Sequence, residues 1–109
     1  LQGSRTAQLE SLALNLTRIH LLAQGDSYEP VAKHLIRESQ FFIEWIVPNL
    51  DMETDMAFAT DLVDLQRLLS RWKLSGSDIW ISEKKRQEIA HLAQEWCDRI
   101  QGYCILLAS

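Results

Sequence analysis

The chain has 109 residues, 47 per cent of them apolar and 24 per cent charged, and a formal net charge of −4. That length suits one ordinary domain spanning residues 1–109, large enough to fold on its own core without a disulfide or a structural metal. The acidic balance argues against a general nucleic-acid binder, whose affinity comes from neutralising phosphates, and no apolar run reaches the roughly 18 residues that a membrane span needs.

Two prolines and four glycines are few breakers for this length, which favours long helices over many short strands. The chain opens on Leu1 with no methionine and no signal-peptide pattern. It therefore reads as a piece of a longer protein, or as carrying a cloning remnant at Gly3-Ser4.

The first helix is expected over about residues 6–24. Leu9, Leu12, Ala13, Leu16, Ile19 and Ala23 recur at three- and four-residue spacing, the mark of one buried stripe. Gly25 is a suitable stop. Asp26 with Glu29 has the form of a capping box, and Pro30 suits a first helical turn. The second helix is expected over about 29–47. Val31, Leu35, Phe42, Trp45 and Ile46 are its apolar face, widened by Ile36 and Ile43, with Lys33, Arg37, Gln40 and Glu44 opposite. Pro48 ends it, because the residue before a proline avoids the helical region.

The third helix is expected over about 52–73, on a core stripe of Phe58, Leu62, Leu65, Leu69 and Trp72. Glu53, Asp55, Asp61 and Asp64 come early, and Arg67, Arg71 and Lys73 come late, an order that complements the helix dipole. Ser75 to Asp78 reads as a turn. Ile79, Trp80 and Ile81 are too apolar for a free loop and are expected to pack over one end of the bundle. Ser82 caps the fourth helix, expected over about 83–104. Its face holds Ile89, Leu92, Ala93, Trp96, Cys97, Ile100, Tyr103, Cys104 and Leu107. Matched lengths and short links imply an all-α fold, an antiparallel up-down four-helix bundle.

Cys97 and Cys104 lie seven residues apart on one helix, about 10 Å along its axis and too far for a disulfide. Unbridged thiols point to a reducing, cytoplasmic setting. On a buried face they read as small core residues rather than nucleophiles, which need exposure and a nearby positive charge. Phosphate-loop, nucleophile-elbow and Cys-x-x-Cys motifs are not found in the sequence, so no catalytic residue, metal or cofactor is expected. Glu88-Ile89-Ala90-His91 matches the Glu-x-x-His pattern of di-iron bundles. Such a site needs two of these motifs, and this one points away from the apolar stripe.

His34-Leu35-Ile36-Arg37-Glu38 loosely resembles the His-x-Leu-Lys-Gly pattern of histidine-phosphotransfer domains, which are four-helix bundles of about this length. The third place is apolar and the fourth basic. The pattern departs at Glu38, where the family's glycine lets a partner domain approach and where an acid repels a phosphate. The resemblance covers five residues and an architecture. It implies a signalling bundle acting through an exposed His34; otherwise His34 is an ordinary surface histidine.

Four tryptophans stand in the chain. Trp45, Trp72 and Trp96 on core stripes read as core filling, or as an aromatic pocket for a hydrophobic small molecule in the bundle core. In an up-down bundle, Arg18, Lys33, Arg37, Arg67, Arg71, Lys73, Lys84, Lys85 and Arg86 gather at one pole, where they outnumber the acids. Lys84, Lys85 and Arg86 oppose the dipole at a helix N-terminus, which marks them as candidates for binding an acidic partner or an anion. Leu14 and Leu21 fall outside the buried stripe of the first helix, and Met52, Met56 and Val63 form a second stripe on the third. Aligned apolar residues off the core mark an interface. The expected function is a non-enzymatic interaction module that binds a protein partner or itself as a homodimer, through Leu14, Leu21, Met52, Met56, Val63, Lys84, Lys85 and Arg86.

Overall fold

The computed structural model of the chain describes residues 4–25, 29–51, 53–75 and 78–108. Among them the architecture is all-α: α1 (Arg5–Gln24), α2 (Glu29–Ile46), a 3-10 turn (Val47–Asn49), α3 (Met56–Leu74), a short α4 (Asp78–Ile81) and α5 (Glu83–Ala108). The local chemistry explains most boundaries. Ser4 caps α1, its hydroxyl accepting from the Ala7 N–H at 3.1 Å. Gly25 closes α1 in an extended conformation. The capping box expected at Asp26 lies outside the described residues.

At the end of α2, Pro48 tightens the chain into the 3-10 turn, and the Asn49 side-chain amide donates to the Trp45 carbonyl at 2.8 Å. The third helix starts at Met56, four residues later than the pattern implies. A turn closed by two aspartates precedes it: Asp51 accepts from the Glu53 N–H at 2.9 Å, Asp55 accepts from the Asp51 N–H at 3.0 Å, and the Asp55 N–H donates to the Asp51 carbonyl at 2.7 Å. Ser82 caps α5 through the Lys85 N–H at 3.3 Å, and α5 runs on to Ala108, beyond the expected end near 104.

Contacts tie the long helices in sequence. α1 packs on both α5 and α2, α2 on α3, and α4 on α5. Along α1 and α5, Ala13 and Thr17 meet Cys97, and His20 meets Ala90. Arg5 reaches the Asn49 carbonyl, while Asn15 reaches Glu38. Gln40 of α2 donates to Ser70 of α3 at 3.0 Å. The enclosed core is built on Leu9, Leu12, Leu16, Ile19, Ile36, Ile46, Leu62, Leu65, Leu69 and Ile100, all fully buried. Each such side chain contributes about 1.5–3 kcal/mol of burial.

Several expected core positions are corrected. Trp45 and Val31 are exposed, and the buried stripe of α2 is Ala32, Leu35, Ile36, Ser39, Ile43 and Ile46. The stripe includes a serine because Ser39 donates its hydroxyl to the Leu35 carbonyl at 2.7 Å, which removes the cost of burying it. Trp96, Tyr103 and Cys104 are half-buried, packed against the core rather than within it. Of the Ile79–Ile81 segment, Trp80 is buried and Ile79 half-buried, while Ile81 faces out. The side chain of Leu107 lies outside the described residues. No helix among the described residues is long and apolar enough to cross a membrane.

A polar cluster joins α3 to α5. Tyr103 donates to Asp61 at 2.6 Å and stacks on Phe58 with ring centroids 4.2 Å apart. Arg99 lies 3.7 Å from Asp61 and 4.4 Å from the Trp96 ring centre. Burial first, then the Asp61 hydrogen bond and charge, push the Tyr103 phenol up to about 12, with Arg99 acting the other way. A raised phenol keeps its proton in the folded chain after the unfolded chain has lost it. Its stabilising contribution is therefore complete below the ordinary value of 10.0 and is lost as pH rises towards about 12. Thermal melts across that window are expected to fall more steeply for the wild type than for Tyr103→Phe; equal slopes would remove Tyr103 from the linkage.

Candidate functional site

Among the described residues, exposed apolar side chains pair up in three places, while Val31, Leu74, Ile81, Ile105 and Leu106 are exposed as well. On α1, Leu14 and Leu21 are both exposed, Leu21 at 59 per cent. Leu14 borders an open depression between α1 and α5, with Glu10, Ala13, Thr17, Gln101, Cys104 and Ile105. On α3, Met56 and Val63 are exposed. Val63 borders a broad groove of about 1040 Å³, lined by Ile43, Glu44, Val47 and Pro48 from the α2 side, Arg67 and Arg71 from α3, and Leu92 and Trp96 from α5. Leu14 and Val63 thus line separate depressions. Met52 lies outside the described residues.

The third place is the outer face of α2, where His34, Arg37, Glu38, Phe41, Phe42 and Trp45 line a depression of about 610 Å³. Phe41 is 50 per cent exposed and Trp45 38 per cent. Their rings meet edge to face with centroids 5.7 Å apart, a favoured aromatic geometry that holds both in place. Glu38 is anchored from below by the buried Asn15, whose amide donates to it at 3.0 Å. His34 Nε2 stands 3.7 Å from the other Glu38 oxygen, close enough for attraction when the imidazole is protonated.

Sequence reasoning placed Trp45 in the core and passed over Phe41. The signal was nonetheless there. From Phe41 to Val47, only Glu44 is not apolar, more than the single face of a half-buried helix can hold.

The basic triplet divides. Lys84 and Lys85 are exposed at the start of α5. Arg86 is half-buried and donates to the Trp80 carbonyl at 2.7 Å and to the Ile81 carbonyl at 3.2 Å, closing the last carbonyls of α4. Arg86→Gln is therefore expected to lower stability by about 1.5–3 kcal/mol, the range for a charge-assisted hydrogen bond. The same change at Lys84 or Lys85 should stay within about 0.5 kcal/mol. Urea titrations of the three variants check this, and a neutral Arg86→Gln would make the contact incidental.

Glu88 and His91 both face out, His91 Nε2 lying 3.2 Å from Glu95. Among the described residues no three His, Cys, Asp or Glu side chains gather as a metal site. His20 Nδ1 sits 2.6 Å from the Ala90 carbonyl oxygen, which can only accept, so this nitrogen is the donor. Cys97 is buried against α1. The half-buried Cys104 thiol is pushed up, first by burial and then by the Glu10 charge, which disfavours the reactive thiolate.

Comparison with family models, with curated proteins and with solved structures finds no match for this chain.

Proposed function

We propose that the chain is a non-enzymatic helical interaction module, built as a single antiparallel up-down four-helix bundle that associates with a protein partner or with itself. The antiparallel reading rests on the contact pairs, in which partner numbers fall along α5 as they rise along α1 (Ala13 and Thr17 with Cys97, His20 with Ala90). The observation that carries the interaction reading is the set of large apolar side chains aligned on outer faces: Phe41 with Trp45, Leu14 with Leu21, Met56 with Val63. Aligned exposure of this kind is a property of interfaces more than of isolated surfaces.

The test is differential capture from the cell of origin, together with sedimentation. Wild-type chain is compared with Phe41→Glu/Trp45→Glu and with Leu14→Glu/Leu21→Glu, each checked for retained helicity. A partner, or a second copy, held by the wild type and lost by one variant supports the module. No association with itself or with any protein removes it.

A second reading is a phosphotransfer bundle acting through His34. It is favoured by the exposure of that side chain on the outer face of α2 and disfavoured by Glu38 beside it. Incubation with a small phosphodonor followed by intact mass distinguishes it: gain of one phosphoryl group, lost in His34→Gln, supports it, and an unchanged mass excludes it.

A further inference from the structure

We infer that the outer face of α2 is a self-association surface, on which a second copy of this chain docks antiparallel with Phe41 against Phe41. This rests on the interaction-module reading and names its partner and its surface.

The argument starts from angles. At about 100° per residue, Arg37 and Glu44 fall on one flank of Phe41, about 40° and 60° from it, and Glu38 and Trp45 fall on the other. Arg37 stands four residues before Phe41 and Glu44 three residues after it. A two-fold axis through Phe41, perpendicular to the helix, keeps each flank on its own side and reverses the direction along it. Arg37 of one copy then lies beside Glu44 of the other, within about one residue rise of 1.5 Å. The symmetry makes this pair twice.

The side chains suit that arrangement. Arg37 and Glu44 are both exposed, and among the described residues neither makes an ion pair or side-chain hydrogen bond. Phe41 stands between the two flanks, its ring already set edge to face with that of Trp45 on the second. On the second flank Trp45 lies next to Glu38 of the other copy.

A parallel pairing of the same faces swaps the flanks and sets Arg37 beside Glu38, a carboxylate already engaged by Asn15 and His34, whereas the antiparallel one sets it beside Glu44, which makes no ion pair among the described residues. Isologous two-fold contact is also the commonest form of self-association. The face of α2, about 27 Å long, is smaller than the roughly 800 Å² per partner of a standard interface. The dimer is therefore a weak and rapidly exchanging one.

Sedimentation equilibrium from micromolar to submillimolar concentration, at low salt, tests the proposal. All the substituted side chains are exposed, and circular dichroism checks that helicity is kept. The wild type is expected to self-associate, and Phe41→Glu/Trp45→Glu to be monomeric. Arg37→Glu alone and Glu44→Arg alone should each weaken association about tenfold or more, because each sets like charges together. Mixing those two single variants should restore it, since both contacts then pair opposite charges. A wild type that stays monomeric, or a dimer indifferent to these changes, overturns the proposal. A dimer lost only in Leu14→Glu/Leu21→Glu overturns the α2 surface while leaving the module reading intact. The absence of both self-association and captured partners ends the module reading itself.

Discussion

Trp72→Ala is expected to lower the stability of the fold by about 3–5 kcal/mol, the range for truncating a buried large aromatic. Trp72 is 6 per cent exposed near the end of α3 and lies beside Leu68, Ile79, Ile89 and Leu92. It thus joins three elements, α3, α4 and α5. Truncation removes transfer energy and leaves a cavity where these elements meet. Trp96 is the internal control. It sits half-buried on α5 with Arg99 against its face, so part of its surface is in water already. Trp96→Ala should cost about 1–2 kcal/mol, mostly lost packing and one cation–π contact. Denaturant unfolding at constant m-value measures both. If Trp96→Ala costs as much as Trp72→Ala, α5 is rotated from the position described here.

Ala93→Leu is expected to cost towards the upper end of the ~1–3 kcal/mol typical of overpacking. Ala13, Ala90, Ala93 and Cys97 are all buried. Thr17 Oγ1 is 3.1 Å from Cys97 Sγ, and Cys97 Sγ is 3.4 Å from the Ala13 carbonyl. Small residues therefore bring α1 and α5 together nearly backbone to backbone. Three added carbons at Ala93 must push the helices apart or take a strained rotamer. Ala7→Leu, at an exposed position of α1, adds the same carbons to solvent and should stay within about 0.5 kcal/mol. Thermal or urea unfolding compares the two, and equal effects would mean that α1 and α5 have room between them.

What the sequence determined by itself is the helical class and the position of four long helices. Three- and four-residue spacing of leucine and isoleucine, with Ser82, Gly25 and Pro48 at the boundaries, is local information. Caps and breakers act through hydrogen bonds and backbone angles within a few residues, so they are legible without knowing the partners. Every apolar residue read into the stripe of α1 is buried, joined there by the polar Gln8 and Asn15, and Leu14, Leu21, Met56 and Val63, read as lying off the core stripes of α1 and α3, are exposed. Where two local signals competed, the pattern misled. Ahead of α3, Asp51 and Asp55 close a separate turn through their carboxylates, and the helix begins after it at Met56.

Only the tertiary structure decided which arc of α2 faces inward. Phe41, Phe42, Ile43, Trp45, Ile46 and Val47 fill more of the helix surface than one buried face can take, and hydropathy alone favours the tryptophan. The packing kept Leu35, Ile36, Ile43 and Ile46 from the expected face, left Val31 and Trp45 outside, and added Ala32 and Ser39, because small side chains and a serine bonded to its own helix fit closely against neighbouring helices. The same limit applies to Arg86. In the sequence it is one of three adjacent cations, and its role follows from the carbonyls of α4 that the fold brings within reach. Which face is buried and which charge is satisfied depend on distances between residues far apart in the chain. Such distances are set by the simultaneous packing of all the helices, which no periodicity within one helix encodes.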